Sequence, residues 1–371
     1  MDLQDIRKEI DGLDAELVAL FLRRMELAAN VAEYKRVNSL PVLDESRERA
    51  IVERAEAMAG DAQLRPPVRR LFECVMAESR HLQRQFLMAN IAPAPAGRAG
   101  EAVAFLGPEG SFSHEALLQH FGAGSGAVPM ASFEEVVDAV ARGACRYGML
   151  PVENSLTGGV FAAADLLTAG SVRIVGETVL AVRHCLLGLP GAVAADIATV
   201  LSHPQPLEQC RQFIRRRGYD TEACGSTAAA AREAAKRGNI AVGAIGSEAS
   251  GRLNGLEPIL RDIQDNPANY TRFSVISAAE EPAEGADKIS AVFVVEHRPG
   301  TLYGALRAFA DCGVNILNLV SRPVPGSPWQ YCFHMDFDGN LDDANVQAAL
   351  REAGKNCRSI LILGNYRKWR G

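Results

Sequence analysis

The chain lacks what several common chemistries need, and each gap excludes something. None of its eight cysteines forms a Cys-x-x-Cys pair, and none is spaced with histidine as a zinc site requires. They read as buried thiols of a reducing compartment. The seven histidines include no His-Glu-x-x-His spacing, so the helical metalloprotease motif is absent. No run approaches ~18 apolar residues, so no membrane span is expected. The N-terminus is acidic and amphipathic rather than charged-then-apolar, so no export leader is expected and the location is read as cytoplasmic. Positive charge is also short: 39 Lys and Arg against 45 Asp and Glu leave a net −6. That argues against a general nucleic-acid or membrane-surface binder.

What is present is an ordinary soluble composition, 48% apolar and 23% charged. A length of 371 residues exceeds one core and predicts two or three domains. A Pro-rich, small-residue stretch at 91–100 and an acidic one at 280–287 read as linkers. They divide the chain into 1–90, 101–279 and 288–371.

The first segment reads as all helix. Residues 3 to 38 hold no Gly or Pro except Gly12, which at 1.5 Å per residue predicts a helix of roughly 50 Å. A 90-residue monomer cannot cover such a helix, whereas an interlocked dimer can. Pro41 ends it. Asp44 is a candidate N-cap for a second helix reaching about Ala59, and Pro66-Pro67 opens a third.

Along the first helix Ile6, Ile10, Leu13, Leu17, Leu20, Leu27, Val31 and Tyr34 recur every three or four residues. Arg24 falls in that same row. A seam of this period buries its residues, and a buried guanidinium needs an anion. Lys35 lies 11 residues on, about three turns, and faces the same way. Arg7 lies 17 residues before Arg24, roughly 100° off that face, so in a dimer it would serve the partner's pocket. Cations without His or Cys suit the clamping of a dicarboxylate and the stabilisation of transition-state charge. The alternative is a helical dimerisation module whose cations pair with Glu16, Glu26 and Glu33.

On these residues the first segment resembles the AroQ-type chorismate mutase family over residues 3 to about 86, with Arg7, Arg24, Lys35, Asp44, Arg47, Glu48, Ser79 and Gln83 at the family's spacing. The resemblance implies that Arg24 and the partner's Arg7 hold two carboxylates. Lys35 and Gln83 would face the ether oxygen of chorismate. Asp44 and Glu48 would meet its ring hydroxyl region, with Arg47 and Ser79 in support.

The second segment alternates strand and helix in the α/β manner, and a parallel sheet is expected. Strands are expected at 103–106, 147–152, 199–201 and 240–245, with one helix from Pro206 to near Gly218 and another over 226–238. Polar loops follow strand ends: Gly107 to Ser113, Glu153 to Gly159, Ser202 to Pro206, and Gly225 to Thr227. Such edges, and helix N-termini there, bind anions. Ser113 and Ser226 read equally as helix caps or ligands, and Arg272 equally as a structural ion pair or a ligand. Gly122 to Ala127 mimics a dinucleotide fingerprint, but it follows a helix and precedes a strand, the wrong context.

The strings Gly-Pro-Glu-Gly-Ser-Phe-Ser-His, Leu-Pro-Val-Glu-Asn-Ser, Ser-His-Pro-Gln-Pro and Thr-Arg-Phe together resemble prephenate dehydratase. That family implies two α/β subdomains with the site in their cleft. It also implies decarboxylation of prephenate with loss of hydroxide to give phenylpyruvate, without a cofactor because aromatisation drives the step. Thr271 would assist the leaving hydroxyl. Glu153, Asn154 and Gln205 would orient substrate, and Ser111, Thr157, His203 and Arg272 would bind carboxylate.

The third segment reads β-α-β-β-α-β, an α+β ferredoxin-like unit. In its third strand Tyr331, Phe333, Met335 and Phe337 alternate with Cys332, His334 and Asp336, so one buried face is expected. Pro299 to Leu306 and Ser321-Arg322-Pro323 resemble the ACT regulatory domain. That implies a phenylalanine site involving Gly304, Ala305, Leu306, Ser321, Arg322 and Pro323, or a domain that only dimerises. The family's Glu-Ser-Arg-Pro reads Val320-Ser-Arg-Pro here.

The combined expectation is a homodimeric, multidomain bifunctional enzyme of phenylalanine synthesis. It would pair an all-α intertwined mutase with an α/β two-subdomain dehydratase, and phenylalanine would inhibit it through an ACT domain. Its partners would be chorismate, prephenate and phenylalanine, with no metal, nucleic acid or membrane. An arogenate-using dehydratase and a non-catalytic amino-acid sensor or solute-binding protein are the other readings.

Overall fold

The computed structural model describes residues 2–37, 45–90, 101–281, 284–324 and 330–370. Asp44, Pro41, Trp329 and the 91–100 linker lie outside them. The chain forms two compact units, 1–92 and 93–370.

The first unit is three helices, α1 (Leu3–Val37), α2 (Glu45–Met58) and α3 (Arg65–Asn90). Met25, Ala28, Val52, Ala55 and Met76 are its buried apolar residues among those described. The long apolar row of α1 is not covered within one chain: Ile6, Ile10, Leu13, Leu17, Leu20, Leu27, Val31 and Tyr34 are 41% to 65% exposed. Among the described residues of α1, Met25 and Ala28 beside Arg24 are the apolar ones buried in the chain's own core.

The second unit opens with β1 (Ala102–Leu106), α4 (Phe112–Phe121), β2 (Gly126–Met130), α5 (Phe133–Ala141), β3 (Tyr147–Asn154), β4 (Gly158–Gly159), α6 (Phe161–Thr168) and β5 (Arg173–Ala181). There follow β6 (Cys185–Gly188), β7 (Thr199–Ser202), α7 (Pro204–Gln209), α8 (Arg211–Arg217), β8 (Asp220–Ala223), α9 (Thr227–Arg237), β9 (Val242–Gly246), α10 (Glu248–Leu253) and β10 (Glu257–Leu260). Then β11 (Tyr270–Ser277) returns to the first sheet. The last elements are β12 (Lys288–Val295), α11 (Thr301–Asp311), β13 (Ile316–Pro323), β14 (Tyr331–Asp338), α12 (Ala344–Gly354) and β15 (Cys357–Tyr366).

Three sheets result, ordered β2-β1-β3-β11-β5, β10-β6-β9-β7-β8 and β13-β14-β12-β15, with β4 beside β3. The first two form two lobes, and neither is purely parallel as the sequence pattern predicts. Strands β1, β2 and β3 are parallel, but β11 runs antiparallel to both β3 and β5. The reason is connectivity. The chain leaves the first lobe after β5, builds the second, and returns in β11, so the two crossing strands oppose each other. The single helix expected over 206–218 is two, because Cys210 (φ −112°, ψ 19°) leaves helical geometry between α7 and α8.

The third sheet has both faces covered, not one. Ile289, Ala291, Phe293, Met335 and Phe337 pack under α11 and α12 with Ala305 and Phe309. Val292, Cys332 and Leu363, on the other face, join the core that holds Val172, Ile174 and Leu167 of the first lobe. A sheet packed on another layer has no solvent face to betray by alternation.

Between these layers lies an ionic cluster. Arg272 pairs with Glu153 (2.8 Å), Glu177 (3.4 Å) and Asp336 (2.8 Å). Lys288 pairs with Glu177 (2.7 Å) and Asp336 (3.4 Å). Burial alone would push Asp336 up, but Arg272 and Lys288 outweigh it and hold its carboxyl below the usual range. A depressed carboxylate stabilises the fold above its unfolded value of about 4, and that contribution is lost as pH falls further. Asp336→Asn is expected to cost about 3 kcal/mol, since Lys288 stays buried with one carboxylate fewer. Denaturant unfolding of the full chain measures it, and an unchanged midpoint would refute it.

Candidate functional site

In the helical unit, Arg24 turns from α1 toward α3. Its Nη1 donates to Val75 O (3.4 Å) and to Ser79 Oγ, and its Nη2 lies 3.3 Å from Met76 Sδ. These partners are neutral. Burial pulls the Arg24 pKa below its ordinary value, and the charge of Glu48 opposes this. Ser79 and Gln83, one turn apart on α3, are both buried, and Gln83 Oε1 has no hydrogen-bond partner among the described residues. A partly desolvated cation and an unsatisfied amide on facing helices are groups suited to a polar ligand. Lys35 and Glu48 are half-buried, while Arg47 and Arg7 are exposed.

In the second unit a cavity of about 1210 Å³ opens between the two lobes. Ser111, Asn154, Thr157, His203, Gln205 and Thr271, all anticipated from the sequence, line it. The N-terminal ends of α4, α5 and α9 reach it through Phe112, Phe133 and Thr227, and such ends favour anions. Arg232 adds a cation to the wall. Gly110, at φ +80°, lets the α4 loop close on the second lobe. A Cβ there would stand 2.9 Å from the Ser250 backbone.

The lining residues are tied together. Asn154 Nδ2 donates to Thr271 Oγ1 (3.0 Å), Asn269 Oδ1 (2.8 Å) and Tyr270 O (3.1 Å). Asn154 Oδ1 accepts from Leu156 N (3.0 Å), Thr157 N (3.2 Å) and Thr157 Oγ1 (3.3 Å). Gln205 Nε2 reaches Thr157 Oγ1 at 3.5 Å. Ser111 caps α4 by accepting from His114 N, and Ser226 caps α9 by accepting from Ala229 N. His203 caps α7 through Nδ1, accepting from Gln205 N at 3.3 Å. Its Nε2 is therefore the ring nitrogen able to donate.

Glu153 and Arg272, expected at the substrate, are not among the cavity-lining residues. They bond each other on the sheet's opposite face. In β11, Thr271 and Arg272 are consecutive and so point to opposite sides. In β3 the register with β11 slips between Arg272↔Glu153 and Phe273↔Pro151. That bulge sends both Pro151 and Asn154 into the cavity and turns Glu153 away.

The anticipated effector positions also separate. Ala305 is buried in the α11 core, and Leu306 packs against it. Gly304 abuts Asn356, whose Oδ1 would lie 2.7 Å from an added Cβ. Arg322 pairs with Asp165 of α6 (Nε 3.0 Å) and stacks 4.6 Å over Phe161. Ser321 and Pro323 are exposed at the end of β13. A separate 250 Å³ hollow lies at the β12–α11 turn, walled by Glu296, His297, Arg298, Thr301, Tyr303 and Tyr331. Sequence reasoning missed His184 and Gln209, which touch the dehydratase cluster, and marked Asn269 only as the start of a polar stretch, Asn269 to Phe273, before a strand. Only the fold makes the three neighbours.

Among the described residues no His, Cys, Asp and Glu cluster suits a metal, and no helix is long and apolar enough to cross a membrane. The two sites, one lined by a desolvated arginine and one by hydroxyls, amides and helix ends, define an enzyme class acting on small anions.

Comparison with known proteins is specific. Residues 6–84 match chorismate mutase type II, and residues 103–281 match prephenate dehydratase. The bifunctional chorismate mutase/prephenate dehydratase of Escherichia coli K12 is 35% identical over 97% of this chain and 95% of its own. The prephenate dehydratase of Arthrobacter aurescens, solved with L-Phe, superposes with TM-score 0.66 at 31% identity, over 72% of this chain and 90% of that one. A structure described as a novel type of quorum quenching acylase gives TM-score 0.67 at 34% identity, over 72% of this chain and 98% of that one. The chain belongs to the family of bifunctional chorismate mutase/prephenate dehydratases.

Proposed function

We propose that the protein converts chorismate to prephenate in its helical unit and prephenate to phenylpyruvate in its two-lobed cleft, as two steps of phenylalanine synthesis. The rearrangement of chorismate is pericyclic and needs no nucleophile. Positioning and charge stabilisation suffice. Arg24, partly desolvated and hydrogen-bonded to neutral acceptors among the described residues, supports a role in gripping a carboxylate. Lys35, Arg47, Glu48, Ser79 and Gln83 are assigned the surrounding contacts, with Asp44 among them.

The observation that carries the second activity is the Thr271 hydroxyl. It accepts from Asn154 Nδ2, so its own hydrogen is left to donate into the cavity. In prephenate the ring carboxylate leaves as carbon dioxide. The electron pair of the broken bond moves through the ring and expels the 4-hydroxyl. Hydroxide is a poor leaving group, and a donor placed on it lowers the barrier. Thr271 is that donor. The α4, α5 and α9 ends and Arg232 attract the remaining carboxylate, with Gln205, Thr157, His203 and Ser111 around it. Acylase chemistry, which the description of that other protein names, would use an activated nucleophile. Among the described residues no hydroxyl lining this cavity is hydrogen-bonded to a histidine base.

The exposed apolar row on α1 supports an intertwined homodimer, in which Arg7 serves the partner's Arg24 pocket. Mixing inactive Arg7→Ala and Arg24→Ala chains should restore part of the mutase activity through hybrid dimers, and no recovery on subunit exchange would refute a shared site. The domain limits are assigned as 1–90, 101–279 and 288–371, the last as an ACT domain. Its β-α-β-β-α-β order and sheet support this. Phenylalanine is expected to inhibit the dehydratase. Dehydratase activity unchanged by millimolar phenylalanine would rule that out. The experiment for the whole reading feeds chorismate to the pure protein and follows prephenate, then phenylpyruvate. Absence of either product refutes that step.

A further inference from the structure

The dehydratase cluster extends past Asn154 into groups with no assigned part. Asn269 and His184 are each 1% exposed, and Gln209 sits between them on the cavity wall. Asn269 Nδ2 donates to Gln209 Oε1 at 3.1 Å, and His184 Nε2 lies 2.8 Å from the same oxygen. Asn269 precedes β11 in the first lobe, while Gln209 ends α7 in the second. The chain of amides therefore crosses the floor of the cleft.

The direction of this chain is fixed from one end. Backbone N–H groups of Leu156 and Thr157 both meet Asn154 Oδ1, and a backbone donor cannot reverse. Asn154 must then present Nδ2 to Asn269, so Asn269 must present Oδ1 in return. That leaves Asn269 Nδ2 facing Gln209, which must offer Oε1. An oxygen that only accepts requires His184 Nε2 to carry the hydrogen. The His184 Nδ1 is then a bare acceptor, buried without a partner among the described residues. Burial lowers the His184 pKa, against a smaller opposing effect from Gln209, which is consistent with a neutral ring. The His184 backbone is held as well: its N–H donates to Gln264 Oε1 (2.9 Å), and its carbonyl accepts from Ile263 N (3.0 Å).

We infer that Gln209, Asn269 and His184 are positioning residues for the dehydratase step, setting Thr271 through Asn154. Asn154 is set by the Leu156 and Thr157 N–H groups, and Gln209 Oε1 gives the Asn269 amide the one orientation that offers Oδ1 to Asn154 Nδ2, so Asn154 is held where it donates to Thr271. Its own hydrogen is then always directed elsewhere, toward the leaving hydroxyl. Without that acceptor the Asn269 amide is free to turn over and meet Asn154 donor to donor. The clash pushes Asn154 Nδ2 off Thr271 Oγ1, and Thr271 loses its bias although Thr271 and Asn154 are themselves intact.

This inference rests on the dehydratase reading, so wild-type turnover of prephenate is measured alongside. A wild type that does not consume prephenate refutes that reading and leaves the ring-nitrogen measurement below to decide the hydrogen-bond direction. Gln209→Leu removes the acceptor, and Gln209→Glu keeps one facing both donors. For Gln209→Leu, kcat on prephenate should fall about tenfold or more, with KM changed less than about twofold. Gln209→Glu should recover most of that kcat. An unaffected Gln209→Leu overturns the proposal, as does a Gln209→Glu damaged equally, which would mark a packing role only. Should Gln209→Leu not fold, the 15N spectrum of wild-type His184 decides. Hydrogen on Nε2 with a bare Nδ1 supports the relay, and the reverse tautomer overturns it.

Discussion

Thr271→Val leaves the chorismate step intact and lowers kcat on prephenate by about a hundredfold to a thousandfold. Valine keeps the shape and removes only the hydroxyl. The fold should tolerate it, because Asn154 Nδ2 retains two acceptors, Asn269 Oδ1 at 2.8 Å and Tyr270 O at 3.1 Å. No buried donor is orphaned, so the large stability penalties of core polar substitutions do not arise. The loss therefore reports chemistry. It should fall on kcat and spare KM, since a donor to the leaving hydroxyl matters most when charge develops there. Steady-state kinetics with added prephenate measures it, and retained turnover would remove Thr271 from the mechanism.

Arg24→Ala should do the reverse, cutting chorismate turnover by about a thousandfold while added prephenate is still consumed. The physical asymmetry is instructive. Arg24 is partly desolvated against the neutral Ser79 and Val75, so its burial costs stability. Its removal should leave the unfolding midpoint unchanged or raise it, while the site loses its anion clamp. Arg24→Lys keeps the charge but not the fork that meets a carboxylate bidentately, and it should stay far below wild type. An Arg24→Ala protein that also loses dehydratase activity, while folded, would contradict independent sites.

Much of the molecule could be read along the chain, and the exceptions share a cause. Helix and strand periods are local, so the strands expected at 103–106, 147–152 and 199–201 fall within β1, β3 and β7. Thr271, Asn154, Gln205, His203 and Ser111 lie in motif strings and Thr157 in the polar loop from Glu153 to Gly159, and all reach one cavity. Glu153 and Arg272 lie in the same strings yet turn away. A strand's alternation and one bulge decide which neighbour faces in, and residue type carries no trace of a bulge. Ala305 and Leu306 lie in the α11 core for a similar reason, because a helix has one face for its core. The mixed sheets escaped prediction because strand direction depends on where the chain crosses between lobes.

From the sequence alone follow the helical first segment, the α/β and ferredoxin-like segments, the misplaced cation at position 24 and the family. All of these rest on spacing, composition and motif strings, which survive without coordinates. Only tertiary structure decides that Arg24 meets Ser79, that Arg272 belongs to a buried ion cluster, and that His184, Gln209 and Asn269 line up behind Thr271. Hydrogen-bond direction is a property of several groups at once. It is fixed when residues far apart in sequence come within about 3 Å, and no local pattern records that.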